Sequence, residues 1–526
     1  MGGGSGTGVV VLPPLGYEHL TSHRALRALA EGLAERGCHA LRVDFDGTGD
    51  SAGDQLDGGR LAAWLATAGH AVAELRTLGI AQVGLVGLRF GATVALAEAA
   101  RLGVDFVVAW APVVSGRRYV REISLLAIPA PEPVGAVALG GHVFTPETMS
   151  DIAGIDLAAL PARPAAEVLL VDRDERPASA GLISRLGELG SSLDHRLVGD
   201  LAVALDRPAE ESEVPRSTVE ATCAWVASRS AAPTGRSAPP TVGSARRSAH
   251  PPARRAVMAW RGGTLSEEIV SLSDRQLVGV MGQPGGPSLA TVVFLNSGSE
   301  THTGPGRAWV EYCRSLNVAG YETLRVDFRA WGESPDDDHA PGRPYDRHTG
   351  DDTRDLVAAL RRRGDRPIVL AGLCAGAWVA LRVATDTALG GVIAINPQLY
   401  WQPGDPVEAL LSDTRVRRAD EIAHFKRHGD RLEGERPAHP AETWLRALQG
   451  RRLPILTLFA AGDDGVEFLQ DRLPRTWGEV VDGGAIHLAQ IDVDHPMHQF
   501  WGRPAVLAAM TRFLDANFGR PDTESC

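Results

Sequence analysis

Residues 369–381, VLAGLCAGAWVAL, place a cysteine between two glycines where a short apolar run gives way to a helix-like stretch. G-x-C-x-G is the cysteine form of the strand–turn–helix elbow that presents a nucleophile. The turn is strained and its neighbours pack close, so Gly372 and Gly376 are required sterically. Cys374 then lies at a helix N-terminus, whose partial positive charge favours a thiolate. Its partners should follow in the order acid, then base. PILTLFAAGDDG is an apolar run ending in Asp463 and Asp464, and GAIHLAQIDVDHPMHQF carries His495 just beyond a second such run. We therefore expect His495 as general base and Asp463 as the carboxylate that orients it, with Asp464 as the alternative acid. His498 and His487 are rivals for the base. An oxyanion hole needs two backbone N–H groups: Ala375, directly after the nucleophile, and Ser299 in the loop NSGSETHTGPGR. His302 and Arg307 in that loop are candidates for reaching substrate.

The elements needed to position these groups occur twice. In the second half TVVFLNSG, the helix WVEYCRSLNVAG, ETLRVDF, a helix near Asp351 to Arg363 and PIVLAG lead to the elbow. In the first half GVVVLPP, HRALRALAEGLAERG, HALRVDF, a helix around Trp64 to Leu78 and AQVGLVG lead to GLRFGA. Short apolar runs alternating with amphipathic helices read as βαβ units, and their double recurrence predicts two doubly wound α/β domains. The expected domains are residues 1–229 and 256–526, joined by the Pro/Ala/Ser/Arg-rich segment 230–255, which cannot bury enough apolar surface to order itself. Residues 400–452 would form a lid over the second site, with Tyr400, Trp401 and Trp444 offering aromatic surface. In the first half Arg89 stands at the nucleophile position, where an always-protonated guanidinium cannot attack anything. Asp172 and Asp174 follow, but the stretch GDLAVALDRPAEESEVP, where a base should lie, has no histidine. Arg89 is expected to pair with Asp174 or to bind an anion, and the first domain to have kept the fold while losing the triad.

The 526 residues suffice for two hydrophobic cores, and 44% apolar with 22% charged residues is the balance of a soluble globular chain. A net charge of −12 argues against a nucleic-acid partner. Cys38, Cys223, Cys313, Cys374 and Cys526 are too sparse for a disulfide framework and form no CxxC zinc pair, which points to a reducing cytoplasm and to no metal or cofactor. MGGGSGTG lacks the pattern of a secretion signal, and no apolar run reaches the length of a membrane span.

The words SHRALRALAEGLAERG, LRVDFDGTGDSAG and GLRFGATVA, and in the second half FLNSGSETHTGPGRAWV, LRVDFRAWGESPDD and GLCAGAWVAL, resemble the α/β-hydrolase superfamily. More narrowly, both halves look like the hydrolase-like proteins found with exosortase, exopolysaccharide and natural-product gene clusters. Arginine at the elbow is frequent in that group. Cysteine there is also similar to dienelactone hydrolases and polyhydroxyalkanoate synthases. The chain departs from the usual pattern at GDDG, where members often have Asp then Pro. The resemblance implies acyl transfer or hydrolysis. A thioester on Cys374 retains transfer potential, so the expected activity is that of an acyltransferase or thioesterase in specialised metabolism. Its partners would be a carrier-protein- or CoA-linked acyl substrate, with the two domains pairing intramolecularly and neither nucleic acid nor membrane involved. An esterase or lactonase and a non-catalytic scaffold are the alternatives.

Overall fold

The computed structural model describes residues 6–175, 177, 180–229, 255–298, 300–335, 344–401, 440–451 and 453–519. Of the features singled out above, residues 230–254 of the linker, Ser299, residues 402–439 and 452 of the lid, and Cys526 lie outside the described residues. The chain divides into two compact units, residues 1–248 and 249–526.

In the first unit, β1 (Thr7–Leu12), β2 (His39–Arg42), β3 (Gln82–Leu88), β4 (Phe106–Trp110), β8 (Glu167–Arg173) and β9 (Ser192–Val198) form a parallel sheet in the order β2-β1-β3-β4-β8-β9. A separate antiparallel patch, β5 (Ile128–Pro129), β6 (Val137–Leu139) and β7 (His142–Phe144), follows β4 in the chain. The central strands are continuous apolar runs because helices cover both faces. Val10 and Leu12 of β1 enter one core, Val9 and Val11 the other, as the two-residue period of a strand requires.

The second unit repeats that order. Its strands are β10 (Ala256–Trp260), β11 (Gly263–Leu272), β12 (Leu277–Pro284), β13 (Thr291–Phe294), β14 (Glu322–Val326), β15 (Ile368–Leu373), β16 (Gly391–Ile395), β17 (Ile455–Ala460) and β18 (Ile486–Ile491). The sheet runs β10-β11-β12-β14-β13-β15-β16-β17-β18, so β14-β13-β15-β16-β17-β18 matches the six strands of the first unit one for one. Again the sheet separates two cores, with Ile368 and Leu370 of β15 in one and Val369, Ala371 and Leu373 in the other.

The sheet of the second unit is not purely parallel. Residues 256–284 add three antiparallel strands to its edge. Arg261 and Gly262, both at positive φ (44° and 85°), make the tight turn that joins the first two. The helix read near Asp351 begins earlier, at Arg347, because the Asp346 side chain caps it by accepting from the His348 N–H at 2.9 Å. The helix read around Trp64 is Arg60–Thr77.

Candidate active site

The elbow in the second unit follows from steric necessity. Cys374 ends β15, has φ 54° and ψ −111°, and caps the helix Ala375–Ala384. A Cβ on Gly372 would stand 2.3 Å from the carbonyl carbon of Gly376, and one on Gly376 would stand 2.6 Å from the Asn296 carbonyl oxygen. Both glycines are therefore obligatory, as the sequence indicates. The positive φ at cysteine costs on the order of 1–3 kcal/mol, and the surrounding sheet holds it there: the Cys374 N–H donates to the Ile395 carbonyl at 2.9 Å. Ala375 occupies the first helical position, where backbone N–H groups have no intrahelical partner and point outward.

Acid and base meet across the carboxyl ends of the next strands. The His495 Nδ1 lies 2.5 Å from Asp463 Oδ2. The other Asp463 oxygen accepts from the Gly465 N–H at 2.8 Å, and its side chain is fully buried. Burial of the imidazole opposes a charge, but the hydrogen bond to Asp463 and the neighbouring Cys374 sulfur outweigh that cost and carry His495 up to about 10. At neutral pH the sulfur thus has a cationic imidazolium beside it. Asp464 belongs to the first turn of the helix that Asp463 caps, and the His495 contact goes to Asp463. The rival histidines are placed elsewhere: His487 is exposed on β18 with its ring against Phe513, and His498 is half-buried, where burial disfavours its proton.

Asn396 ties this geometry together, and the sequence reading missed it. At positive φ (45°) and fully buried, it donates through Nδ2 to the His495 carbonyl at 2.9 Å and accepts from the Ala460 N–H at 2.7 Å. It thereby fixes the base-bearing loop to the end of the acid-bearing strand. Tyr345 and Gln398 were also missed. Tyr345 Oη lies 3.1 Å from Cys374 Sγ and donates to Gln398 Oε1 at 2.7 Å, while Trp401 Nε1 donates to the same oxygen at 3.1 Å. Strand ends carrying Asn396 and Gln398 were a usable signal for those two; nothing in RPYDRHTG marked Tyr345.

The remaining candidates divide. Trp401 joins the cluster at Cys374, its ring tilted against Tyr345 with centroids 5.4 Å apart, and Tyr400 packs between Trp401 and Phe468. Trp444 packs edge-on against Trp378. His302 and Arg307, the candidates for reaching substrate, are both buried, Arg307 only 1% exposed. The His302 ring is 2.6 Å from Asp327, the aspartate of RVDF, and its backbone N–H donates to that carboxylate at 2.7 Å. Burial alone would raise Asp327, yet the His302 pair holds it below the usual carboxylate range.

The first unit reproduces the elbow backbone without the chemistry. Arg89 has φ 52° and ψ −116°, within a few degrees of Cys374, and Gly87 and Gly91 make the same close approaches. The expected partner, Asp174, is corrected: Arg89 Nε donates to Glu18 at 2.8 Å, and Nη2 lies 3.5 Å from Glu122. Asp174 instead accepts from the Glu175 N–H. Burial opposes the guanidinium charge, but Glu18 more than compensates and raises its pKa. Two carboxylates already neutralise Arg89, which removes the case for an anion. Asp172 faces His195 on β9 at 3.7 Å, upstream of the stretch where a base was sought. Where the second unit has Asn396, the first has Ala111, also at positive φ, whose methyl group cannot hydrogen-bond to anchor a base loop.

The topology and the elbow define a protein of the α/β-hydrolase fold. Residues 292–516 match the sequence profile described as Alpha/beta hydrolase family. Among solved structures the chain is similar to an esterase from Pyrococcus furiosus, at 19% identity over 48% of this chain and 92% of that one, with a TM-score of 0.35. It is also similar to a dienelactone hydrolase from Anabaena variabilis, at 13% identity over 51% and 99%, with a TM-score of 0.33. No curated protein sequence matches it. Among the described residues no helix is long and apolar enough to cross a membrane, and no group of His, Cys, Asp or Glu is placed to hold a metal ion.

The thiols differ in a testable way. Cys38, Cys223 and Cys313 are buried while Cys374 is half-exposed. Burial pushes Cys223 up to about 11 and Cys313 up to about 12. Iodoacetamide at neutral pH should therefore label Cys374 faster than those three, read by peptide mass mapping. Faster labelling of Cys313 or Cys223 would contradict the site.

Proposed function

We propose that the second unit transfers acyl groups through a thioester on Cys374, with His495 as acid–base catalyst and Asp463 orienting it. The observation that carries this reading is His495, hydrogen-bonded through Nδ1 to Asp463 and in electrostatic contact with Cys374, at an elbow whose glycines have no steric alternative. In the forward step Cys374 Sγ attacks the acyl carbonyl carbon, and the C–S bond forms as the carbonyl π electrons move to oxygen. The N–H of Ala375, joined by that of Ser299, would receive the oxyanion. Collapse expels the leaving thiolate or alkoxide, which takes the proton from His495. An incoming thiol, amine, alcohol or water then gives its proton to His495 and attacks the thioester, releasing the Cys374 thiolate.

A thioester intermediate exchanges readily with a second thiol. The substrates best suited to it are acyl groups linked to a carrier protein or to CoA, and hydrolysis is the case in which water is the acceptor. The likeness of residues 292–516 to the α/β-hydrolase family supports the hydrolytic version, an esterase or thioesterase acting through the same intermediate. The first unit supports the second and does no chemistry, because its elbow holds a neutralised arginine.

Intact-protein mass spectrometry after incubation with a panel of acyl-CoA, acyl-pantetheine and aryl esters tests the reading. At least one should add the mass of its acyl group, mapping to Cys374 and absent from Cys374→Ala. An adduct on another residue, or none with any donor, would overturn it. Arg89→Ser should leave the result unchanged, since the side chains that meet Arg89 are Glu18 and Glu122 and not a histidine held by an acid.

A further inference from the structure

Tyr345 is buried and stands at φ 61°, a left-handed conformation that a tyrosine adopts only when its surroundings enforce it. Trp378, edge-on at 5.6 Å, and Trp401 at 5.4 Å clamp its ring and aim Oη at the nucleophile. The hydrogen bonds there are unequal in a telling way. Gln398 Oε1, a carbonyl oxygen with two lone pairs, lies within reach of three donors: Tyr345 Oη at 2.7 Å, Trp401 Nε1 at 3.1 Å and Cys374 Sγ at 3.5 Å. Indole can only donate, so Trp401 holds one lone pair permanently. The phenol has a single hydrogen and two neighbours that can take it, Gln398 and, at 3.1 Å, the sulfur.

We propose that Tyr345 is a charge-responsive donor to the nucleophile: its hydroxyl hydrogen rests on Gln398 while Cys374 is a thiol and turns to Sγ when the sulfur is a thiolate. In the first state the S–H can donate to Tyr345 Oη, whose own hydrogen goes to Gln398. When Cys374 loses its proton, Tyr345 rotates its hydrogen onto the sulfur and Gln398 keeps Trp401. The Sγ–Oη contact persists while its polarity reverses. The tyrosine keeps its proton throughout, since burial and the neighbouring Cys374 hold its ionisation well above the usual range. Once Sγ is acylated it is a poor acceptor, and the hydrogen returns to Gln398. The other titratable groups in electrostatic contact with this pair are His495, Asp463 and Tyr400.

This inference rests on Cys374 as nucleophile, but its test does not require turnover. In the full chain, the pH dependence of iodoacetamide alkylation at Cys374 is followed by peptide mass mapping for wild type, Tyr345→Phe and Gln398→Leu. Phenylalanine keeps the ring packing and deletes only the donor, so the alkylation midpoint should rise by about one pH unit, the size of one hydrogen bond to a charged atom. Gln398→Leu removes the competing acceptor, leaves the phenol hydrogen to the sulfur in both states, and should move the midpoint down. A residue that merely packs would give neither shift. An unchanged or lowered midpoint in Tyr345→Phe would overturn the proposal, and so would both variants shifting the same way. Failure of the nucleophile reading looks different: wild type takes no acyl group at Cys374, whatever the alkylation midpoints do.

Discussion

Cys374→Ala and His495→Ala each lower kcat/KM by at least about 10²-fold toward whichever acyl donor labels the wild type, and the double variant is little worse than either. The first removes the atom that forms the covalent bond. The second leaves the thiol without the cation beside it and the leaving group without a proton source, so acylation and deacylation slow together. Because sulfur and imidazole act on the same proton, losing one makes the other useless, and the two losses do not add. Steady-state kinetics on the three variants, with circular dichroism to show retained fold, check this. Near-normal turnover in His495→Ala would remove His495 from the mechanism and return attention to His498 and His487.

Asp463→Asn falls less far than either, because nucleophile and imidazole both remain and only the carboxylate that orients the ring is lost. Asparagine fills the same buried volume and can still cap the following helix through Gly465, so the fold persists while the carboxylate behind His495 is gone. Asp464→Asn should stay within about two-fold, because the contact to the imidazole is made by its neighbour. A larger loss in Asp464→Asn would transfer the acid role by one residue. The same variant has a signature in stability. His495 is raised from 6.5 to about 10 in the folded chain, so its stabilising contribution is complete below about pH 6.5 and is lost as pH rises through 10. Removing Asp463 takes away a principal cause of that elevation. Urea midpoints measured across this window should therefore slope downward less steeply in Asp463→Asn than in wild type.

Much of the site could be read before any fold was known, for local reasons. G-x-C-x-G encodes its own turn, since Gly372 and Gly376 answer to backbone atoms within a few residues or in the adjacent strand. The apolar runs of β13, β15, β16 and β17 announce strands covered on both faces, and a strand end is where such a fold exposes acid and base. Arg89 was legible as a lost nucleophile from its residue type alone, because no environment makes guanidinium attack a carbonyl.

What stayed hidden depended on distance along the chain. Glu18 meets Arg89 across 71 residues, and Asp174, nearer to the expected acid turn, does not. Tyr345 reaches Cys374 over 29 residues from a loop with no periodicity to flag it. The pairing of His302 with Asp327 spans 25 residues, and no local pattern marks it. The choice between Asp463 and Asp464 shows the division most plainly. Two identical side chains in adjacent positions carry the same sequence information. Helix capping then turns one back toward the Gly465 N–H and His495 and leaves the other in the helix's first turn. The sequence alone determined which residue types could do chemistry and where the chain must turn, because those are properties of side chains and nearby backbone. Which of them meet was decided only by the tertiary structure, because a hydrogen bond depends on ångström distances that strand order and helix packing set.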